Sequence, residues 1–201
     1  IDVLVNNAGA IYLDRRLSVD GIEKTFALNH LGYFLLTGLL LDLLKQAAPS
    51  RIVSVSSSAH YSGRLNLDDL EMENGYTGWQ AYANSKLANV MFTYELARRL
   101  EGTGVTATVL HPGWVATDFA HNNFRGLLFP FRPFYWLYQK LTALTPEQGA
   151  DTIVYLASSP DVEGVTGKFF VNRREKRSLA VSYEGDMAKK LWEISEKLVG
   201  L

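Results

Sequence analysis

The chain has 201 residues and a mass of 22.5 kDa; 47% of its residues are hydrophobic and 20% are charged, as in one globular domain. Its 20 Lys and Arg residues balance its 21 Asp and Glu residues, and a formal net charge of −1 gives no chain-wide positive field, so we expect no nucleic-acid partner. The absence of cysteine excludes disulfide bonds, thiolate zinc sites and cysteine nucleophiles, and favours a cytoplasmic location.

Strand-like and helix-like segments alternate along the chain. Runs of β-branched and apolar residues between turn residues predict strands over residues 1–5, 51–57, 105–110 and 167–172. Apolar residues spaced three or four apart predict helices over residues 22–45, 80–100, 145–159 and 184–199. The third of these helices has the clearest start, with Thr145 as N-cap, Pro146 in the first turn and Gln148 completing a capping box.

This alternation predicts the α/β fold class, with about four parallel strands covered by helices on both faces. The most apolar helical stretch, residues 34–44, is well short of the roughly 18 residues of a membrane span, so we expect a mostly buried helix. Ligands of such sheets bind beyond the carboxyl ends of the strands. The loops at residues 6–9, 56–60 and 111–117 should therefore line one site.

Tyr82 and Lys86 are the first candidates for chemistry at that site. Residues four apart on a helix lie on one face, and an ammonium group near a phenol should lower the phenol pKa toward neutrality, where proton transfer is efficient. In a chain with 10 Tyr residues this spacing also arises by chance. Ser57, at the end of a predicted strand, strengthens the interpretation because its hydroxyl could bind the same substrate oxygen.

Five motifs then stand in order: NNAG at residues 6–9, NHLG containing Asn29, VSSS within residues 54–58, YANSK at residues 82–86 and HPG at residues 111–113. With them the whole chain resembles the short-chain dehydrogenase/reductase family. The segment LNLDDLE, the continuation SKLAN and the ending LWEISEKLVGL resemble its retinol-dehydrogenase-like branch, which includes the WW-domain oxidoreductases.

The resemblance implies a role for each catalytic candidate. Tyr82 is the proton donor or acceptor, and Lys86 lowers its pKa and holds the nicotinamide ribose. Ser57 polarises the substrate oxygen. Asn29 orders a water that relays protons from Lys86, although an Asn inside a helix also packs against a neighbour for purely structural reasons.

The resemblance further implies NADP as the cofactor, with NAD as the alternative. Asn6, Ala8 and Gly9 would approach its adenosine side, while Asn7 is equally a structural tie between strands. The residues that would surround the nicotinamide are Tyr82, Lys86, Pro112, Gly113, Val115 and Thr117. Simple packing is the alternative for Val115.

The glycine-rich turn that binds the pyrophosphate in this fold has no counterpart here. Residues 102–107 fit G-x-G-x-x-A, but they follow a helix and enter a strand, which is the reverse of the required context. By comparison with the family we expect that strand, and the residue that selects NAD or NADP, to precede Ile1. The chain would then be the C-terminal portion of a single Rossmann-like, doubly wound domain truncated at its N-terminus.

Residues 118–144 are too apolar for a water-exposed loop and predict a lid over a lipophilic substrate, such as a retinoid, steroid or fatty carbonyl. The alternative is a short helix on the domain's own core or a subunit contact, because Pro130 and Pro133 limit any long helix. His30, His60, His111 and His121 lack metal-ligand spacing, so we expect no metal site. The basic run at residues 173–177 predicts a solvated loop.

Two functions follow. The first is an NAD(P)-dependent oxidoreductase that interconverts a small lipophilic alcohol and its ketone or aldehyde. The second is a non-catalytic fragment or interaction module that keeps the dimerisation surface of the fold. In either case we expect a homodimer, with membrane association only through a segment before Ile1.

Overall fold

The computed structural model describes residues 1–115 and 132–201. Its centre is a five-stranded sheet in the order β1 to β5, in which β1 to β4 run parallel and β5 pairs antiparallel with β4. The strands are β1 Val3–Asn6, β2 Ser50–Val55, β3 Val105–His111, β4 Lys168–Val171 and β5 Arg174–Lys176. The sheet confirms the predicted α/β class. The prediction of a loop for the basic run was wrong in part, because its centre forms the exposed edge strand β5.

Six α-helices surround the sheet in the described residues. They are α1 Lys24–Phe26, α2 Gly32–Gln46, α3 Gly78–Arg99, α4 Arg132–Thr142, α5 Pro146–Ser158 and α6 Gly185–Val199. A π-helical turn, Ala27–Leu31, joins α1 to α2. The capping box predicted at the start of α5 is confirmed, with Thr145 and Gln148 each bonding the backbone of the other.

Helices lie on both faces of the sheet. Successive strand residues point to opposite faces, so Ile52 packs against α2 and α3 while Val53 packs against α5. On the first face Phe34, Phe92 and Trp192 join α2, α3 and α6 in one aromatic cluster. Helix α3 lies between the sheet, α2 and α6, and most of its length is buried.

The continuous helix Lys24–Gln46 is long and apolar enough to cross a membrane, judged by length and composition alone. Core helices of globular proteins pass the same test, and here Phe34 and Leu44 are buried against the sheet. The prediction of a mostly buried helix holds for one side only. A stripe formed by Leu36, Leu39 and Leu43 is exposed.

The carboxyl ends of the first three strands meet at one edge of the sheet. They lead into Gly9, Ser56 and Pro112, so the parallel topology gathers the three predicted site loops. Thr117, His121 and residues 118–131 of the predicted lid lie outside the described residues.

Within the described sheet, β1 is an edge strand that pairs with β2 alone, and Val3 and Val5 are exposed on it. Unpaired apolar edges promote strand-to-strand association. We expect the 201-residue chain to self-associate as its concentration rises, and the double substitution Val3→Lys with Val5→Lys to reduce this in light scattering. Val19→Lys, at a fully exposed position outside the strands, should leave the scattering unchanged. A wild-type chain that stays monodisperse would contradict the prediction.

Candidate active site

Asn29, in the π-helical turn, fixes the loop that follows β1. Its Oδ1 accepts a hydrogen bond from the Ala10 amide at 2.9 Å, and its Nδ2 donates to the Ala10 carbonyl oxygen and to Ser85 Oγ, both at 2.9 Å. The residue is completely buried. The side chain of Asn29 is thus used to join the loop to α3, and the water-ordering role implied by the resemblance stays a prediction.

Asn89 is a residue of this site that the sequence interpretation missed. Its Nδ2 donates a hydrogen bond of 2.9 Å to the carbonyl oxygen of Asn29, and it is fully buried on α3. A π-helical turn interrupts the regular backbone hydrogen bonds of a helix, and such turns are frequent at functional sites. A polar residue on the buried face of α3, within the SKLAN motif, was the signal available in the sequence.

Lys86 extends from α3 under the loop of Gly9. Its Nζ donates to the Val55 carbonyl oxygen at 3.1 Å and lies 5.5 Å from the ring centre of Tyr33 and 5.9 Å from that of Tyr82. Burial disfavours the ammonium form and lowers the pKa of Lys86 to about 7. A Cβ on Gly9 would lie 3.3 Å from Nζ, so a side chain at that position would crowd the amino group.

Tyr82 shares the buried face of α3 with Lys86, as the spacing predicts, but its pKa moves in the opposite direction. Burial raises the pKa of Tyr82, and a side-chain hydrogen bond with Ser57 opposes that rise. The prediction that Lys86 lowers the Tyr82 pKa was therefore wrong. The helical spacing brings the two groups close together, but both are desolvated, and the Lys86 amino group donates its hydrogen bond to Val55.

Ser57 meets Tyr82 from the other side of the site. The strand ends at Val55, two residues earlier than predicted, and Ser57 is the N-cap of a 3-10 turn, Ser58–Ser62. Its Oγ accepts a hydrogen bond of 3.2 Å from the Ala59 amide. The preceding Ser56 is buried and donates to the Lys86 carbonyl oxygen at 2.7 Å, a tie to α3 that the motif alone did not reveal.

The residues assigned to the cofactor's adenosine side are divided between core and surface. Asn6 is buried, and its Nδ2 donates to Thr37 Oγ1 at 3.0 Å, which ties β1 to α2. Asn7, for which a tie between strands was the structural alternative, is exposed beside Gly9, as is Ala8. Cofactor contacts of Asn6, Ala8 and Gly9 stay predictions.

The segment after β3 brings Pro112 and Gly113 to the same edge of the sheet. Gly113 has a φ of 92°, a backbone conformation that favours glycine. Val115 packs against α5, because a Cβ on Gly149 would lie 2.5 Å from a Val115 methyl carbon. This contact supports the packing alternative for Val115. Its cofactor role and that of Pro112 and Gly113 stay predictions.

The chain resembles known proteins in both sequence and structure. A model of the short chain dehydrogenase family matches residues 1–127. Over its whole length the chain is 50% identical to human (Homo sapiens) retinol dehydrogenase 14, and 43% identical to human polyprenol dehydrogenase over a 207-residue alignment. It spans 59% and 62% of those two proteins. A crystal structure of a protein from Mycobacterium paratuberculosis superimposes with a TM-score of 0.75 at 34% identity, covering 99% of this chain and 67% of that one.

The fold is α/β, and Tyr82, Lys86, Ser57 and Asn29 come together in one largely buried cluster at the carboxyl ends of its parallel strands. The chain belongs to the short-chain dehydrogenase family, in its retinol-dehydrogenase-like branch.

The lowered pKa of Lys86 predicts how the free energy of unfolding depends on pH. Between about pH 7 and its unfolded pKa near 10.5, the unfolded chain binds a proton at Lys86 that the folded chain does not, so stability rises with pH in that window. We expect Lys86→Met to stabilise the fold against urea at pH 7, by an amount on the order of a few kcal/mol, and this gain to shrink toward about pH 10. Lys45→Met, at an exposed position, should show no such trend. A gain that is constant across the window would contradict the burial of the amino group.

Proposed function

We propose that the protein is a nicotinamide-dependent oxidoreductase that interconverts an alcohol and a ketone or aldehyde. The observation that carries the proposal is the hydrogen-bonded pair Ser57 and Tyr82 beside the buried amino group of Lys86. Two hydroxyl groups that meet at one point can both bind a substrate oxygen. Membership of the family supports a nicotinamide cofactor, which supplies or accepts the hydride; NADP is our choice, with NAD as the alternative.

The environment of Lys86 fits the ribose of such a cofactor. An ammonium group has three N–H donors, and among the described residues Val55 supplies the hydrogen-bond acceptor for Nζ. Further donors of Nζ are thus free to bind ribose hydroxyl groups. The missing side chain at Gly9 keeps the approach to Nζ open.

Tyr82 is suited to proton donation in the direction of carbonyl reduction. Its raised pKa keeps the phenol protonated at neutral pH, so Oη can give a proton to the oxygen of a carbonyl substrate. Ser57 Oγ binds the same oxygen and stabilises the charge that develops there. Lys86, with a pKa of about 7, can hold or release a proton beside Tyr82 after the transfer.

Helix α4 supports a lipophilic substrate. Its exposed side chains include Phe134, Trp136, Leu137, Tyr138 and Leu141, whereas Gln139 is buried. This is the reverse of a surface helix that packs on its own core, and it favours the lid over the core-docking alternative. We propose that this face contacts lipophilic substrates such as retinoids, steroids or fatty carbonyls. Two relatives are named for lipophilic alcohols, retinol and polyprenol.

The exposed leucine stripe of α2, Leu36, Leu39 and Leu43, favours a second candidate, an interaction module that forms a homodimer. The two candidates are compatible if the dimer is also an enzyme. They differ in one respect: an enzyme would show turnover that requires Tyr82, whereas a purely structural module would show no turnover.

Tyr82→Phe tests the proton-transfer role. The substitution removes Oη but keeps the ring, so in the natural full-length polypeptide we expect turnover to fall by roughly 10²- to 10⁴-fold with cofactor affinity nearly unchanged. The measurement is steady-state oxidation of the nicotinamide cofactor with a lipophilic aldehyde. Tyr155→Phe on α5, outside the site, is the matched control. Near-normal turnover of Tyr82→Phe would exclude the proposed mechanism.

Charge on the apolar face of α4 tests the substrate class. We expect Phe134→Asp combined with Leu141→Asp to raise the KM for a long-chain or isoprenoid aldehyde roughly tenfold more than the KM for a small aldehyde, because one methylene contributes about 0.8 kcal/mol to apolar binding. Val154→Asp places a charge at another exposed apolar position, on α5, and should change neither KM. Equal losses for both aldehydes would assign α4 to folding or assembly instead.

A further inference from the structure

His60 lies beside Ser57, buried in the 3-10 turn that follows β2. Its ring packs against Tyr61 and against Phe169 of β4, with ring centres 3.9 and 4.8 Å away. The proposed chemistry leaves this residue without a role. Both of its ring nitrogens are nevertheless engaged by defined partners.

The hydrogen bonds determine which ring nitrogen carries the proton. The Leu179 amide, which can only donate, points at Nε2 at 3.3 Å, so Nε2 is the unprotonated acceptor. Nδ1 lies 2.6 Å from the Ser57 carbonyl oxygen, which can only accept, so Nδ1 carries the proton. His60 is therefore a neutral Nδ1–H tautomer, and burial, which lowers the pKa of His60, favours the neutral form.

The Ser57 carbonyl oxygen is held twice by His60. The backbone amide of His60 donates to it at 3.1 Å, in addition to the Nδ1–H bond at 2.6 Å. The Ser57 hydroxyl oxygen accepts from the Ala59 amide in the same turn. The ring of His60 thus fixes the peptide group from which the Ser57 side chain extends toward Tyr82.

The other side of the ring is fixed by the segment that follows β5. The Leu179 amide donates to Nε2, and the hydroxyl of the neighbouring Tyr61 donates to the Arg177 carbonyl oxygen at 2.6 Å. The ring therefore bridges the Ser57 turn and residues 177–179. Two filled ring nitrogens leave no lone pair for a metal ion and no proton for direct transfer to substrate.

We propose that His60 is a positioning residue of the active site, whose Nδ1–H bond to the Ser57 carbonyl oxygen sets the Ser57 hydroxyl against Tyr82 and whose Nε2 anchors that turn to Leu179. The proposal rests on the proposed function of Ser57. In this proposal the hydrogen bond between His60 and Ser57 supports turnover, and the hydrogen bond between His60 and Leu179 supports local stability.

Three substitutions separate the two bonds. Asn places an amide N–H near the position of Nδ1, so His60→Asn keeps the donor to Ser57. Gln reaches the position of Nε2, so His60→Gln keeps an acceptor for Leu179. His60→Phe keeps a ring against Tyr61 and Phe169 but removes both bonds.

In the natural full-length polypeptide we expect kcat to fall about tenfold in His60→Phe and His60→Gln, which is the kinetic effect of one buried hydrogen bond, with KM for the aldehyde nearly unchanged. His60→Asn should retain kcat within about threefold of wild type while lowering Tm, because it loses the Leu179 bond. A packing role alone would give the opposite order, with Phe the mildest substitution. That order would overturn the proposal.

The Ser57→Ala variant separates a failure of the His60 proposal from a failure of the proposed role of Ser57. If His60 acts through Ser57, adding His60→Phe to Ser57→Ala should reduce kcat no further. A full additional tenfold loss would overturn the proposal, whereas a Ser57→Ala variant with normal kcat would refute the proposed function of Ser57 itself. Nitrogen-15 NMR of the natural full-length polypeptide tests the geometry without any activity, since we expect a neutral Nδ1–H tautomer for His60, and an Nε2–H tautomer would contradict it.

Discussion

The burial of one amino group is the constraint on which the rest of the site depends. Removing an ammonium group from water is costly unless polar partners replace the lost hydration. For Lys86 those partners are the Val55 carbonyl oxygen and the faces of two tyrosine rings, while Gly9 leaves space above Nζ. Lys86 can be accommodated only if the end of β2, the loop after β1 and helix α3 all hold their relative positions.

Helix α3 holds these positions through polar side chains that the core completely encloses. Ser85 and Asn89 bind the side chain and the carbonyl oxygen of Asn29, and the carbonyl of Lys86 accepts from Ser56. Each of these bonds satisfies a buried polar group that would otherwise lower stability. The same bonds fix the distance between the loop after β1 and the turn after β2, so the stability of the domain and the geometry of the site have a common source.

Much of the fold could be predicted from periodicity and turn residues. The strands around Ile52 and Val109 and the capping box at Thr145 depend on local sequence, and the structure confirms them. The direction of the Tyr82 pKa could not be predicted, because spacing on a helix reveals a neighbour but not how much water surrounds it. The π-helical turn at Asn29 depends on tertiary packing and leaves no local signal, whereas the apolar composition of α4 was visible in the sequence but its outward direction was not. The family motifs identified Tyr82, Lys86, Ser57 and Asn29, whereas the roles of Asn89, a polar residue within the SKLAN motif, and of His60 emerge from their hydrogen bonds.

Isotope transfer tests the central claim, hydride exchange at this site, most directly. The natural full-length polypeptide would be incubated with a reduced nicotinamide cofactor in which both hydrogens at C4 of the ring are deuterium, together with a lipophilic aldehyde, and the alcohol product analysed by mass spectrometry. The account predicts one deuterium on the carbinol carbon of the product, and at least about 10²-fold less deuterated product at the same time point with a Tyr82→Phe variant that is folded by circular dichroism. A folded wild-type protein that yields no deuterated alcohol with either NADP- or NAD-derived cofactor would contradict the account.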